Sequence, residues 1–164
     1  MTQLVTAYVG LGANLGDAAS SVRQAVDLLA QLPSTTLCAC SSLYRSAPID
    51  ATGDDFVNAA VQLHTRLDAH NLLTELQRIE SRFGRERPFR NAPRTLDLDL
   101  LVFGAETICD STLEVPHPRM ANRAFVLLPL HELNPQLLIP GLGPIEPLLA
   151  RVENQQIEKL LSAR

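Results

Sequence analysis

Two aspartates lie inside a strand-like segment of the sequence. The segment RTLDLDLLVF, residues 94–103, is rich in Leu, Val and Phe, yet it carries Asp97 and Asp99. In a β-strand, residues two apart point to the same face and lie roughly 6–7 Å from each other. Carboxylates at this separation can hold hard divalent cations, and Mg²⁺ prefers them together with substrate phosphate oxygens. Taken alone, the spacing favours a hydrated sheet face on which both aspartates pair with arginines; joined to the segment RNAPRT directly upstream, it indicates a magnesium site.

A group of arginines precedes this strand. Between residues 82 and 94 the only acidic residue is Glu86. The guanidinium fork binds phosphate in a bidentate way that an ammonium group cannot reproduce. The group favours a bound anion such as phosphate, although a solvated charged loop explains it equally well when it is considered alone. Its members are Arg82, Arg85, Arg87, Arg90 and Arg94.

The hydrophobic periodicity of the chain predicts an α+β fold. Strict alternation over residues 57–67 predicts a strand, and apolar residues at helical spacing after Asp17 and after Asp68 predict two helices. With further strands over 3–10 and 36–45 and the strand of the aspartates, the order is βαββαβ, which is typical of a ferredoxin-like sandwich. We expect C-terminal additions to this core: a short helix within 115–133 and helical pieces over 148–161.

Two finer predictions concern the aspartate strand and the glycine-rich segment that follows the first strand. In the aspartate strand, alternation assigns the opposite, core-forming face to Leu96, Leu98, Leu100 and Val102. The segment GLGANLGD, residues 10–17, has the spacing G-x-G-x-x-x-G, which fits neither the dinucleotide fingerprint nor a P-loop. We therefore interpret it as a tight turn between a strand and a helix.

Composition limits the class of protein. The chain has 164 residues, which predicts one domain over 1–164, and 46% of its residues are hydrophobic and 20% charged. We expect no membrane-spanning segment, because no apolar run reaches ~18 residues, and we see no signal peptide. Three cysteines favour a reduced, cytoplasmic protein, and a net charge of −4 argues against nucleic acid as a partner.

Several motifs together resemble one enzyme family. RTLDLDLLVFG and VPHPRMANRAFVLLPL, with YVGLGANLGD, LYRSAPID, DDFVNAAVQL and LLTELQRIESRFGR, follow in order along nearly the whole chain. They resemble the 6-hydroxymethyl-7,8-dihydropterin pyrophosphokinases of folate biosynthesis. The resemblance implies a ferredoxin-like α+β monomer that uses two Mg²⁺ ions and transfers pyrophosphate from ATP to the hydroxymethyl oxygen of the pterin, releasing AMP.

The resemblance also implies a role for individual residues, carried over by position. The catalytic residues would be Arg85, Arg94, Asp97 and Asp99, of which Asp97 and Asp99 would bind the metal. The ATP site would be lined by Gln77, Glu80, Arg87, Arg90, His117 and Arg123. The pterin pocket would be formed by Ser46, Ala47, Ile49, Phe56, Asn58 and Phe125, with the two phenylalanines on either side of the ring. The loops 49–55 and 85–93 would close over the substrates.

Two other functions explain part of the sequence. A ferredoxin-like regulatory or anion-binding module would use the arginines but leaves the aspartate pair without a purpose. A different Mg²⁺-dependent nucleotide transferase would use both features. Formation of AMP, rather than ADP, from ATP and the pterin separates the three possibilities.

Overall fold

A six-stranded antiparallel sheet organises the protein. The structure, a computed structural model, describes residues 3–14, 17–46, 55–84 and 96–162. Up to residue 103 its elements are β1 (Val5–Ala13), α1 (Ala18–Leu29), β2 (Thr35–Cys40), β3 (Ser42–Ser46), β4 (Phe56–Thr65), α2 (Ala69–Gly84) and β5 (Asp97–Phe103). The remainder forms β6 (Ile108–Cys109), β7 (Glu114–Val115), a 3-10 turn (Met120–Asn122), α3 (Ala124–Leu133), β8 (Leu138–Ile139), β9 (Gly143–Pro144), α4 (Ile145–Ala150) and β10 (Ile157–Ser162). The main sheet has the order β10-β3-β4-β1-β5, and β2 also pairs with β4.

Helices α1 and α2 cover one face of this sheet, as their periodicity predicts. Each begins at an aspartate: Asp17 accepts a hydrogen bond from the Ser20 N–H (3.1 Å), and Asp68 from the Asn71 N–H (2.7 Å). Such caps satisfy N–H groups that have no partner within the helix. The apolar stripes of both helices are buried against β1, β4 and β5; they comprise Val22, Ala25, Val26, Leu29, Leu72, Leu76 and Ile79. None of the described helices is long and apolar enough to cross a membrane.

The predicted alternation of β5 fails at one point. The pairing of β5 with β1 shifts register between Tyr8 and Val9, so that one extra residue, Leu101, enters β5. A bulge of this kind transfers every following side chain to the other face. Val102 therefore does not share the face of Leu98. It lies with Leu101 in a second hydrophobic core, while Phe103 joins the first core, which is the one beneath α1 and α2.

That second core lies on the opposite face of the sheet. It is formed by α3, α4 and the residues around them packing on Tyr8, Ala60 and the bulged part of β5. The predicted short helix in this part of the chain corresponds to α3. The predicted helical pieces over 148–161 are only partly present, because α4 ends at Ala150 and Ile157–Ser162 is strand β10. Its antiparallel pairing with β3 overrides the helical propensity of the segment.

A carboxylate anchors the end of α3 to the sheet. Glu132 accepts hydrogen bonds from the N–H (2.9 Å) and hydroxyl (3.0 Å) of Ser42 and from the hydroxyl of Tyr44 (2.5 Å), and Lys159 Nζ lies 3.9 Å away. Burial alone would raise the pKa of Glu132, but these hydrogen bonds and the lysine charge outweigh it, so the pKa lies below its usual value. Burial, together with the hydrogen bond to Glu132 and its charge, raises the pKa of the Tyr44 hydroxyl.

This anchor predicts a pH-dependent stability. A carboxyl group whose pKa is lower in the folded than in the unfolded state stabilises the fold above its unfolded pKa, and this contribution is lost as pH falls through the folded pKa. We expect Glu132→Gln to unfold at lower denaturant concentration at pH 7, with a loss of about 1–3 kcal/mol. The gap to the parent should close as pH falls below 4.5, the ordinary value for glutamate. Glu153→Gln, an exposed control, should match the parent; a gap for Glu132→Gln that is equally wide at pH 3 would contradict this account.

Candidate active site

The aspartate pair lies where the sequence predicts, on the face of β5 away from α1 and α2. Asp97 and Asp99 are exposed, while Leu98 and Leu100 between and after them are buried in the first core. The strand stands at one end of the sheet order. The two carboxylates therefore border an open region of the sheet surface beside the second core.

Gly12, which sequence reasoning did not select, forms the floor of this region, and a Cβ atom at Gly10, two residues earlier, would lie 3.2 Å from the Leu101 side chain. Residues 10–13 continue β1 instead of forming the predicted tight turn. In the sheet, Gly12 stands between Asn58 of β4 and Asp97 of β5, and Gly10 stands between Ala60 and Asp99. A Cβ atom at position 12 would lie only 3.2 Å from the Asn58 Oδ1 atom. The G-x-G spacing, read as strand periodicity, was the signal for these glycines, because residues two apart share a face.

Asn58 provides a buried polar group next to this glycine floor. It is only 3% exposed, and its Nδ2 donates to Ser46 Oγ over 2.7 Å. Among the described residues, its Oδ1 and its second N–H make no hydrogen bond. An amide in this state offers one donor and one acceptor to a flat heterocycle. Phe56 pairs with Ser46 at the adjoining ends of β4 and β3, so these three residues share one corner of the sheet.

His117 approaches the aspartates from the C-terminal part of the chain. Its backbone N–H donates to the Leu101 carbonyl over 3.0 Å, which ties it to β5. Burial lowers the pKa of the imidazole; the Asp99 charge opposes this effect, while Arg123 and Arg119 add to it. The ring is thus neutral at pH 7, and its Nδ1 accepts from the Arg119 N–H (3.2 Å), which leaves the proton on Nε2. That N–H can donate to a phosphate oxygen.

Arg123 and Phe125 lie at the start of α3. Arg123 is the last residue before the helix, and its guanidinium carbon lies 5.4 Å from the centre of the Phe125 ring. A cation over an aromatic face at this distance is an attractive arrangement. Since the charge of Arg123 also acts on His117, the three side chains belong to one neighbourhood.

Glu80 connects α2 to the aspartate strand. Its Oε2 accepts a hydrogen bond from the Leu98 N–H over 2.8 Å, at the peptide between the two aspartates. This contact ties α2 to β5 at that peptide. Gln77, one turn earlier, is exposed on the surface of α2. The structure therefore associates Glu80 with the aspartates, whereas within the described part of the chain no hydrogen bond links Gln77 to them.

Six of the predicted site residues lie outside the described residues, and their predicted roles stay predictions. They are Ala47, Ile49, Arg85, Arg87, Arg90 and Arg94. The predicted closing loops, 49–55 and 85–93, lie almost entirely outside as well.

The aspartate pair suits a hard divalent cation. Both groups are carboxylates on one exposed face, and among the described residues no cation forms an ion pair with Asp99. No group of three or more His, Cys, Asp and Glu side chains is gathered for a metal in the described part of the chain. The protein would thus supply two carboxylates, and bound phosphates and water the remaining oxygens, which is the coordination that Mg²⁺ favours.

Comparison with known proteins gives matches over most of the chain. A model of the 7,8-dihydro-6-hydroxymethylpterin-pyrophosphokinase (HPPK) family matches residues 8–135. The 2-amino-4-hydroxy-6-hydroxymethyldihydropteridine pyrophosphokinases of Haemophilus influenzae and Pseudomonas aeruginosa are 39% and 43% identical to this chain. The alignments cover 96% and 95% of this chain and 99% and 97% of those proteins.

A solved structure shows that the fold is shared with a protein that contains this kind of domain. The crystal structure of Plasmodium falciparum HPPK-DHPS, wild type with pteroate, superposes with a TM-score of 0.75 over 92% of this chain at 14% sequence identity. The chain spans 45% of the length of that protein. Sequence and structure together lead to one conclusion: the chain belongs to the 7,8-dihydro-6-hydroxymethylpterin-pyrophosphokinase family.

Proposed function

We propose that this chain transfers pyrophosphate from ATP to the hydroxymethyl oxygen of 6-hydroxymethyl-7,8-dihydropterin, in folate biosynthesis. Membership of the family supports the reaction, the use of ATP and the dependence on Mg²⁺. One observation supports placing this reaction on the sheet. Asn58, Gly12 and Asp97 lie side by side on three neighbouring strands, β4, β1 and β5. A buried amide for a heterocycle and an exposed carboxylate for metal-bound phosphate are separated only by a glycine.

In this proposal Asp97 and Asp99 would hold two Mg²⁺ ions together with ATP. When bound, these ions neutralise phosphate charge and align the reacting oxygens. Glu80 supports the carboxylates through the Leu98 N–H. His117 donates from Nε2, and Arg123 contributes positive charge beside it. Arg85 and Arg94 would meet the transferred group, and Gln77, Arg87 and Arg90 the remainder of ATP.

The pterin would lie over the glycine floor. Asn58 pairs with its polar edge through the Oδ1 acceptor and the remaining Nδ2 donor, while Ser46 holds the amide in position. Phe56 and Phe125 would enclose the ring, and Ala47 and Ile49 would complete the pocket. A polar group buried beside a flat apolar surface selects a heterocycle, because any ligand without matching polar atoms leaves the amide unpaired.

The transfer requires positioning more than a protein nucleophile. The hydroxymethyl oxygen attacks the β-phosphorus, and the bond between that phosphorus and the oxygen bridging to the α-phosphate breaks. AMP leaves with the bonding electrons, and the proton of the alcohol passes to solvent water. Holding the two substrates in line on one sheet face converts a bimolecular reaction into an effectively unimolecular one. We assign no residue as general base.

We also infer that the core is a ferredoxin-like sandwich with one strand divided. If β2 and β3 are counted as a single strand interrupted at Ser41, the first 103 residues give βαββαβ, and the sheet order becomes 4-1-3-2. The division has a local cause: the Ser41 hydroxyl accepts from the Ala60 N–H over 2.9 Å in place of a backbone carbonyl.

Product analysis tests the proposed function. With ATP, MgCl₂ and the reduced hydroxymethylpterin, we expect AMP and the pterin pyrophosphate in equal amounts by mass spectrometry. The 6-methyl pterin, which lacks the attacking oxygen, should give no AMP. ADP as product would instead indicate a different Mg²⁺-dependent nucleotide transferase, and absence of turnover with retained nucleotide binding would indicate an anion-binding or regulatory module.

A further inference from the structure

A glutamine far along the chain bridges the backbone on both sides of Arg123. Gln155 Oε1 accepts a hydrogen bond from the Ala124 N–H over 2.9 Å, and Gln155 Nε2 donates to the Asn122 carbonyl over 2.8 Å. One amide thus binds the peptide groups that precede and follow a single residue. We propose that Gln155 is a positioning residue for Arg123 and Phe125, which rests on the proposed roles of these two residues in binding ATP and the pterin.

The start of α3 needs such a partner. Arg123 has an extended backbone (φ −128°, ψ 109°), stands between the 3-10 turn and the helix, and gives no side-chain cap to α3. The first N–H groups of a helix have no acceptor within it. Gln155 supplies that acceptor at Ala124 from 31 residues away in the sequence. The guanidinium of Arg123 has only donors and could not accept from this N–H, so the acceptor has to come from another residue.

Gln155 is itself fixed to the fold. Its N–H donates to the carbonyl of Val152 over 3.0 Å, and Val152 is buried in the second core. Two residues later, Ile157 pairs with Ser46 as β10 joins β3. The amide of Gln155 therefore links the strand that ends at Ser46, beside the proposed pterin pocket, to the junction that carries Arg123.

The consequence concerns the two side chains at the start of α3. The guanidinium of Arg123 lies over the ring of Phe125, so a backbone shift at residues 122–124 would displace both groups. Both are proposed to bind substrate in the ground state as well as in the transition state. Loss of the Gln155 bonds should accordingly raise KM for ATP and the pterin more than it lowers kcat.

The test uses methionine, which has a similar length but donates no hydrogen bond and accepts only weakly. Gln155→Met should raise KM for ATP roughly three- to tenfold and leave kcat within about twofold, since each lost hydrogen bond is of modest net strength. Gln156→Met is the matched control, because Gln156 is the exposed neighbour and should behave as the parent. Gln155→Asn, which keeps an amide but is one methylene shorter, should also raise KM and guards against misfolding of the methionine variant. A lower melting temperature with both KM values unchanged would overturn the proposal.

A double-mutant cycle with Arg123→Ala shows whether Gln155 acts through Arg123. We expect Gln155→Met to change KM for ATP by less than about twofold once Arg123 is absent, because coupled residues are not additive. A full, additive effect in the Arg123→Ala background would overturn the positioning role. If Arg123→Ala alone leaves KM for ATP unchanged, the role of Arg123 fails and that of Gln155 fails with it. AMP formation by the parent protein would still identify the reaction.

Discussion

Asp99→Asn is expected to lower turnover by roughly 100- to 1,000-fold, the scale on which loss of one preorganised electrostatic partner slows a charged reaction. Asparagine keeps the size of the side chain and one oxygen, but it removes the charge that retains a hard cation. Asp97→Asn should give a comparable loss. Steady-state AMP formation at saturating ATP and pterin, followed across a MgCl₂ titration, measures the effect.

Stability separates this role from an architectural one. Asp97 and Asp99 are like charges on one face of a strand, so Asp99→Asn should leave the melting temperature of the metal-free protein unchanged or slightly raised. Asp27→Asn, on the exposed surface of α1, should alter neither property. Asp110 accepts hydrogen bonds from Thr112, Leu113 and His70. Asp110→Asn should therefore lower the melting temperature and leave turnover normal, which is the reverse of the result expected for Asp99→Asn. An Asp99→Asn protein that melts early yet turns over normally would show that this aspartate is structural.

Asn58→Leu is expected to raise KM for the pterin by about 100-fold or more, with a much smaller change in KM for ATP. Leucine has a similar shape but leaves the polar edge of the heterocycle without partners in a buried site, and such mismatches are discriminated strongly. Initial rates with the pterin varied at saturating ATP, and the reverse, separate the two constants.

The control for this variant is its hydrogen-bond partner. Ser46→Ala removes the group that orients the Asn58 amide but keeps the amide itself, so it should give a weaker effect in the same direction. If Asn58 serves only to join β3 to β4, both variants should instead melt earlier with similar losses and leave KM for the pterin unchanged. That result would show that the heterocycle does not bind over the glycine floor.

The elements that local periodicity and capping determine could be predicted from the sequence. Two helices follow from apolar residues at a 3.6-residue period after Asp17 and Asp68, and strand β4 follows from alternation at a two-residue period. The structure confirms all three elements. The face on which Asp97 and Asp99 lie follows from the same rule. The exposed face of the two aspartates is thus confirmed, and their role in binding magnesium stays a prediction.

The features that depend on distant partners could not be predicted in this way. The bulge at Leu101 arises from the register with β1, and β10 is a strand because β3 offers it an edge. The local pattern around Gly10 and Gly12 predicts a turn, but both continue β1, because glycine also marks strand positions that another group approaches closely, here Leu101 and Asn58. No pattern in the neighbouring sequence indicates a role for Gln155, because it contacts a peptide group 31 residues away. The roles of individual site residues came from resemblance, and they remain predictions until variants are measured.

The most direct measurement of the central claim counts divalent cations on the aspartate face. Electron paramagnetic resonance reports free Mn²⁺, so a titration in the presence of α,β-methylene-ATP, whose methylene replaces the oxygen that the transfer would release, gives the number of bound ions. We expect two ions per parent protein with the analogue, and fewer or far weaker ones in Asp99→Asn at equal analogue occupancy. Equal stoichiometry and affinity in parent and variant would contradict the account, because the cations would then be held without this carboxylate.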